Sequence, residues 1–244
     1  MNLYEKVLHS VKKYEEENPS HLVALASVRG GHAQGLVTPE SDLDLQFYVV
    51  PDFVDVMLGK PLKGSQGSFE NGVEYSTRDF TSLLDVFLKT NVDTSQLLWS
   101  PVLFSERAPR TGKWLKQRGL RTLSLNKDKL LFSALGNAKH NTKNRLYLDL
   151  YYLLSALAVN NFHLGLLSEG SLHEMLSNGR TLTTEVDLLK LKMGEDQERG
   201  EELKGRLVRE AESVAQKGFP YRDEFEESLL GLEMAMALDL RDLF

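Results

Sequence analysis

The chain has 244 residues and a mass of 27.6 kDa, enough for one large domain or two small ones. Its 41% hydrophobic and 26% charged residues exclude a disordered or fibrous protein. It lacks cysteine, which excludes a disulfide framework, a thiolate metal site and a cysteine nucleophile, so any metal must be held by carboxylate, histidine or carbonyl oxygen. A net charge of -6 speaks against a surface built to coat long nucleic acid, though a local basic groove is compatible with it.

Leu3, Val7, Leu8, Val11 and Tyr14 recur at helical spacing among charged residues, so the chain opens with an amphipathic helix ending near Asn18 and Pro19. Met1 to Glu17 lacks the apolar core of an export signal, and a cytoplasmic protein is expected. His21 to Val28 is a compact apolar run stopped by Gly30 and Gly31, the pattern of a buried strand. Asp42 to Val50 alternates polar and apolar residues until Pro51, a second strand. Pro51 to Gly72 contains two prolines and four glycines and reads as an excursion or flexible loop. Gly72 to Ser76 is a short strand. Phe80, Leu83, Leu84, Phe87 and Leu88 then place a helix near 78–90, with Ser76 and Asp79 at capping-box spacing.

Beyond Pro101 the signals are helical, apart from a short strand at Val102 to Phe104. Leu146 to Val159 is the most apolar run, but Asp149 and Ser155 interrupt it and it falls short of the roughly 20 residues that span a bilayer, so it predicts a buried helix and no membrane partner. Gly194 to Glu202 reads as a solvated loop or helix edge. The whole predicts an α/β (α+β) fold: a small mixed sheet with helices in residues 1–110, and an all-α half in residues 111–244 forming the other wall of a cleft.

The chemistry concentrates between Gly30 and Leu45. Glycines at a strand end let backbone amides approach phosphate oxygens with no side chain in the way. Ten residues separate Gly31 from Asp42. Positions i and i+2 of a strand point to one face about 6.6 to 6.8 Å apart, so Asp42 and Asp44 project together while Leu43 and Leu45 face the core. Carboxylates so placed can hold two hard cations roughly 3.5 to 4 Å apart, an arrangement that activates an attacking hydroxyl in phosphoryl transfer. An Asp-x-Asp alone is common on alternating strands; the glycine pair, the interval and a later acidic strand at Glu74 give it weight. The chain has no Gly-x-Ser-x-Gly or Walker-type stretch.

This run resembles the signature of the DNA polymerase beta-like nucleotidyltransferase superfamily, in which a Gly followed by Gly or Ser precedes Asp-x-Asp and a third carboxylate lies on a later strand. More narrowly, Gly-Leu-Val-Thr-Pro-Glu-Ser-Asp-Leu-Asp at 35–44 is similar to predicted nucleotidyltransferases encoded near RNA ligases. The likeness continues through Gly72-Val73-Glu74, Leu97-Leu98-Trp99-Ser100-Pro101 and the stretch Leu188 to Glu195. The resemblance implies a nucleotide-phosphate turn at Gly30 and Gly31, with His32 and Ser41 beside it. It implies a metal pair at Asp42 and Asp44, a third catalytic carboxylate at Glu74, and Mg2+ or Mn2+ as cofactor. An NTP such as ATP would be the substrate, and an acceptor hydroxyl, with an RNA end favoured by the association with RNA repair, would receive the nucleotide. Three positions depart from the family pattern: Gly31 where Ser is common, His32 where Arg is common, and Gln96 where Glu is common. A noncatalytic nucleotide sensor or interaction module on the same fold is the alternative.

Two basic clusters are further candidates. Arg107, Arg110, Lys113, Lys116, Arg118, Arg121 and Lys127, with Trp114 among them, could hold a triphosphate or an RNA strand by charge and stacking. Lys139, His140, Lys143 and Arg145 lead into the buried helix, and Lys143 is the best single candidate for nucleotide contact. His21, His163 and His173 lack the i, i+4 pairing of a helical zinc site and read as packing or surface residues.

Overall fold

Asn2 accepts a hydrogen bond from the Glu5 amide (2.9 Å) while the Glu5 carboxylate accepts from the Asn2 amide (2.8 Å), a reciprocal cap that starts helix α1 (Leu3–Glu17). The structure, a computed structural model, describes residues 1–60, 62–70, 72–140, 145–215 and 220–244. Strand β1 (Leu22–Arg29) runs into a one-turn helix, α2 (Gly30–Gln34), and is followed by strand β2 (Leu43–Val50). Helix α3 (Phe53–Met57) and edge strand β3 (Gln66–Ser68) occupy the stretch expected to be loop. Strand β4 (Val73–Asp79), helices α4 (Leu83–Lys89) and α5 (Val92–Ser95), and strand β5 (Leu103–Phe104) complete the first half.

The sheet order is β3-β4-β2-β1-β5, with β2 and β4 parallel and the other neighbours antiparallel. Alternation along β2 explains its two covers. Leu43, Leu45, Phe47 and Val49 pack with Val7, Val11 and Tyr14 of α1, whereas Tyr48 and Val50 face the core shared with the helical half. A register shift between Val23 and Leu25 is the signature of a bulge, and there Ala24 and Leu25, adjacent in sequence, both join the helical-side core. The fold is therefore a mixed α/β structure of the α+β class.

The expected helix at 78–90 is shorter. β4 continues to Asp79, whose carboxylate accepts from the Thr81 amide (2.8 Å) and starts a 3-10 turn at Phe80–Ser82 before α4. Ser76 does not cap this helix, because it lies within β4 and its hydroxyl donates to Gln46 Oε1 (3.1 Å).

The second half comprises α6 (Pro109–Leu125), α7 (Lys127–His140), α8 (Leu146–His163), α9 (Glu169–Ser177), α10 (Leu188–Lys192), α11 (Gln197–Val214) and α12 (Arg222–Leu243). The apolar run at Leu146 becomes the central helix α8, with Leu150, Tyr151, Leu153, Ala156 and Val159 buried. No helix among the described residues is long and apolar enough to cross a membrane. The stretch at 194–202, expected as a solvated loop or helix edge, is exposed loop up to Asp196 and then the start of α11 at Gln197, with Gly200 buried against Leu146 and Leu191. The Trp99 indole donates to the Tyr151 hydroxyl (3.0 Å), which donates to the Leu176 carbonyl (2.8 Å), so the Leu97 to Pro101 motif ties the sheet to α8 and α9.

Helix α6 has Ala108 at its N-cap and no cap side chain of its own. Asp239 of α12, with a fully buried side chain, supplies one: it accepts from the Thr111 amide (2.8 Å), the Thr111 hydroxyl (2.7 Å), and the Arg110 amide (3.3 Å) and guanidinium (3.2 Å). Asp239→Ala leaves these donors unmet, and we expect a loss of about 2 kcal/mol in urea denaturation with the slope unchanged.

Candidate active site

One corner of the sheet gathers the functional residues. β1 ends at Arg29, while β2 and β4 begin at Leu43 and Val73. Arg29 is the register partner of Asp44, and Asp44 is the register partner of Glu74. Because paired strand residues share a face, the three form a row of one cation and two carboxylates across adjoining strands, on the side turned away from α1. In the next row, Gln46 Oε1 accepts from Arg29 (3.1 Å) and from the Ser76 hydroxyl (3.1 Å), and its amide donates to the Ser76 carbonyl (2.9 Å). Arg29 also pairs with Asp93 of α5 at 2.6 Å. A cleft of about 270 Å³ opens here, lined by Arg29, Gly30, Asp44, Gln66, Glu74 and Asp93 among others.

Gly30 is constrained by this geometry. Its φ of +59° is in the left-handed region, and a Cβ on it would fall inside the contact radius of Asp44 Oδ2. Its amide donates to Oε1 of the buried Gln96 (3.1 Å), so Gln96 braces the glycine turn and is not among the residues lining the cleft. A Cβ at Gly31 would lie 3.0 Å from both the Leu36 carbonyl and Lys192 Nζ, so a side chain there would crowd the turn. Lys192 comes from α10 in the other half of the chain and donates to the Leu36 carbonyl (2.7 Å) and to Ser41 Oγ (3.0 Å).

Ser41, expected beside the nucleotide, sits in the turn before β2. Its hydroxyl accepts from the Thr38 amide (2.9 Å) and bonds the Thr38 hydroxyl (3.0 Å) besides receiving Lys192. Asp42 departs from expectation. The β2–β4 ladder begins at Leu43 opposite Val73, leaving Asp42 exposed, one residue outside the strand and absent from the cleft lining. Glu74 is exposed at the cleft edge beside Asp44. His32 lies on α2, part-buried, with its Nδ1 buried and unpartnered among the described residues. Lys143 lies outside the described residues.

The charges perturb one another. Burial lifts the Asp44 carboxyl above the usual carboxylate range, Arg29 opposes this, and Asp42 adds to it. Burial lowers the Lys192 ammonium, partly offset by Asp44. Burial likewise lowers His32, against a hydrogen bond with the Asp42 backbone and the charge of Asp44, so its ring is mostly neutral at pH 7.

Among the described residues no three His, Asp or Glu side chains converge closely enough to enclose an ion. The donor chemistry nonetheless fits a hard divalent cation: carboxylate oxygens are available from Asp44, which is part-buried, and from Asp42 and Glu74, whose side chains make no hydrogen bond or ion pair among the described residues.

Three of the seven cations of the long basic cluster are engaged elsewhere, while Lys113, Lys116, Arg118 and Arg121 stay exposed on α6. Arg107 pairs with Glu15, Arg110 with Asp239 and Asp242, and Lys127 is buried against Asp128. Trp114 packs edge-on against Phe87, with centroids 5.3 Å apart. Lys139 of the second cluster pairs with Glu212 of α11, both on the surface. Sequence reasoning missed Arg29 and Lys192 as site residues. The signals were a cation directly before the glycine pair, and a lysine inside the Leu188 to Glu195 motif.

No family model matches the chain, and no curated protein matches it. Gly30→Ala tests the turn directly. The left-handed φ costs about 1 kcal/mol, and the new methyl displaces the Asp44 carboxylate. We expect only a small change in melting temperature and, for the activity proposed below, at least about a tenfold fall in turnover measured as pyrophosphate release.

Proposed function

We propose that the protein is a metal-dependent nucleotidyltransferase that moves a nucleoside monophosphate from an NTP to an acceptor hydroxyl and releases pyrophosphate. The observation that carries this reading is the direct register of Asp44 with Glu74 on adjoining parallel strands, with the Asp44 carboxylate over Gly30 at the start of the glycine turn. Mg2+ or Mn2+ would be held by Asp44, Glu74 and Asp42, and when bound it would neutralise phosphate charge and make the acceptor hydroxyl easier to deprotonate.

The remaining work belongs to the chain's own groups. Arg29 offsets part of the carboxylate charge, and Gln46 and Asp93 fix its guanidinium. Lys192 holds the loop at Leu36 and Ser41 and brings a positive charge next to Gly31, where it could meet a bound phosphate. Gln96 holds the Gly30 amide and so fixes the turn against which the nucleotide would rest. Glu74 sits at the open edge, placed to take a proton from an acceptor entering the cleft. An RNA end is the acceptor favoured by the family resemblance.

One observation favours the noncatalytic sensor: Asp42 stands outside the cleft lining. Incubation with each labelled NTP, Mg2+ and mixed RNA, metabolite and protein acceptors separates the two readings. Pyrophosphate release with a nucleotide mass added to one acceptor supports the transferase. Saturable NTP binding with neither product supports the sensor.

A further inference from the structure

Helix α12 is apolar on two opposite sides. Phe225, Leu229, Leu232, Met236 and the capping Asp239 face inward. On the outward side Leu230 is 58% exposed, Met234 66% and Leu238 37%, at i, i+4 and i+8 of a 22-residue helix. An outward helix face ordinarily carries polar residues, so a stripe of three large apolar side chains at helical spacing marks a contact surface. We propose that this stripe is a homodimer seam, in which α12 of one copy packs antiparallel against α12 of a second copy about a twofold axis at Met234.

The charge pattern selects a second copy as the occupant. In a twofold antiparallel pair, residues equally far from the axis on either side face each other. With Met234 on the axis, Leu230 four residues before it meets Leu238 four residues after it, and Glu227 seven before meets Arg241 seven after. Seven residues are two helical turns, about 10.5 Å along the axis, so Glu227 and Arg241 stay on the side of Met234 and close both ends of the seam with opposite charges. The same face thus complements itself in apolarity and sign. Arg241 is available for this exchange: its present partner Asp242 also pairs with Arg110 at 2.7 Å and keeps that contact when Arg241 swings across. Ala237, also exposed, is small enough to let the helices approach. One helix pair is a modest interface, so the dimer should be reversible and dependent on protein concentration.

The test is sedimentation velocity of the full chain across a hundredfold range of concentration, with melting temperature measured in parallel. We expect a monomer–dimer shift in the parent, and Met234→Glu should weaken dimerisation at least tenfold with the melting temperature unchanged, because the side chain is exposed. Glu227→Arg and Arg241→Glu should each weaken the dimer, and the double exchange should restore it. A parent that stays monomeric throughout overturns the proposal and leaves the stripe to a different partner. A dimer untouched by Met234→Glu, or a double exchange that fails to restore it, places the interface elsewhere and overturns it equally.

Discussion

Asp44→Asn is expected to lower divalent-dependent nucleotidyl transfer by about 10³-fold or more, while the variant melts no lower than the parent in chelator. Both outcomes follow from the position of one carboxylate. Asp44 is the only acidic residue of the site in the middle of a row, between Arg29 and Glu74, and its oxygen lies over Gly30. An amide keeps the shape and loses the charge that would hold a cation, so the loss appears in turnover. The stability effect has the opposite sign. Burial and Asp42 raise the Asp44 carboxyl despite Arg29, so the folded chain binds this proton more tightly than the unfolded chain. That contribution is fully present below the unfolded value, about 3.9, and is lost as pH rises through the folded value. At pH 7 the metal-free protein therefore carries a net cost that Asn removes. Melting curves in chelator should show the variant equal or higher at pH 7 and the difference vanishing near pH 4. Mg2+ affinity of the parent should fall as pH drops through the raised Asp44 value, since protons and metal compete for the same oxygens. A variant that melts well below the parent would identify Asp44 as a structural residue.

The strands, with Asp44 on β2, were legible because their signals are local; the pairing of Asp42 with Asp44 on that strand was not. Alternation from Leu43 to Val50 survives as a strand with two different covers, and the apolar run at Leu146 becomes the buried helix α8. Several of the other outcomes are decided by a partner distant in sequence. Arg107, Arg110 and Lys127 read as a basic patch along the chain, but Glu15, Asp239 and Asp128 neutralise them, two of these from the opposite ends of the protein. The Ser41 hydroxyl is held by Thr38 and by Lys192 from 151 residues away, a contact that local reading does not show. The reading of Ser76 and Asp79 as a capping box ignored the strand ladder, which keeps Ser76 extended against Gln46 and delays the helix to Leu83. Lys192 itself could be read only as part of a motif, because its contacts with the loop depend on how the helical half docks on the sheet.

Glu74→Gln should cut turnover by about two to three orders of magnitude while leaving nucleotide affinity nearly unchanged. The two other acidic residues of this segment are accounted for structurally. Asp79 is buried and committed to the Leu62 amide (2.8 Å), the Thr81 amide (2.8 Å) and the Thr81 hydroxyl (2.5 Å), which fix the end of β4. Glu70 belongs to the exposed turn between β3 and β4. Glu74 alone is set on a rigid strand, in register with Asp44, and has no hydrogen bond or ion pair among the described residues. It lies at the cleft edge, on the far side of Asp44 from Arg29 and away from the turn at Gly30, and on the proposed reading this is the acceptor side. A group acting on the acceptor affects the transition state and contributes little to ground-state nucleotide binding, so kcat should fall and the Kd for NTP should not. Glu74→Asp should recover part of the rate, because it keeps the charge and shortens the reach by one methylene. Titration calorimetry with NTP and Mg2+ alongside single-turnover pyrophosphate release separates the two quantities. Parallel losses of affinity and rate would move Glu74 from the acceptor side of the site to the nucleotide side.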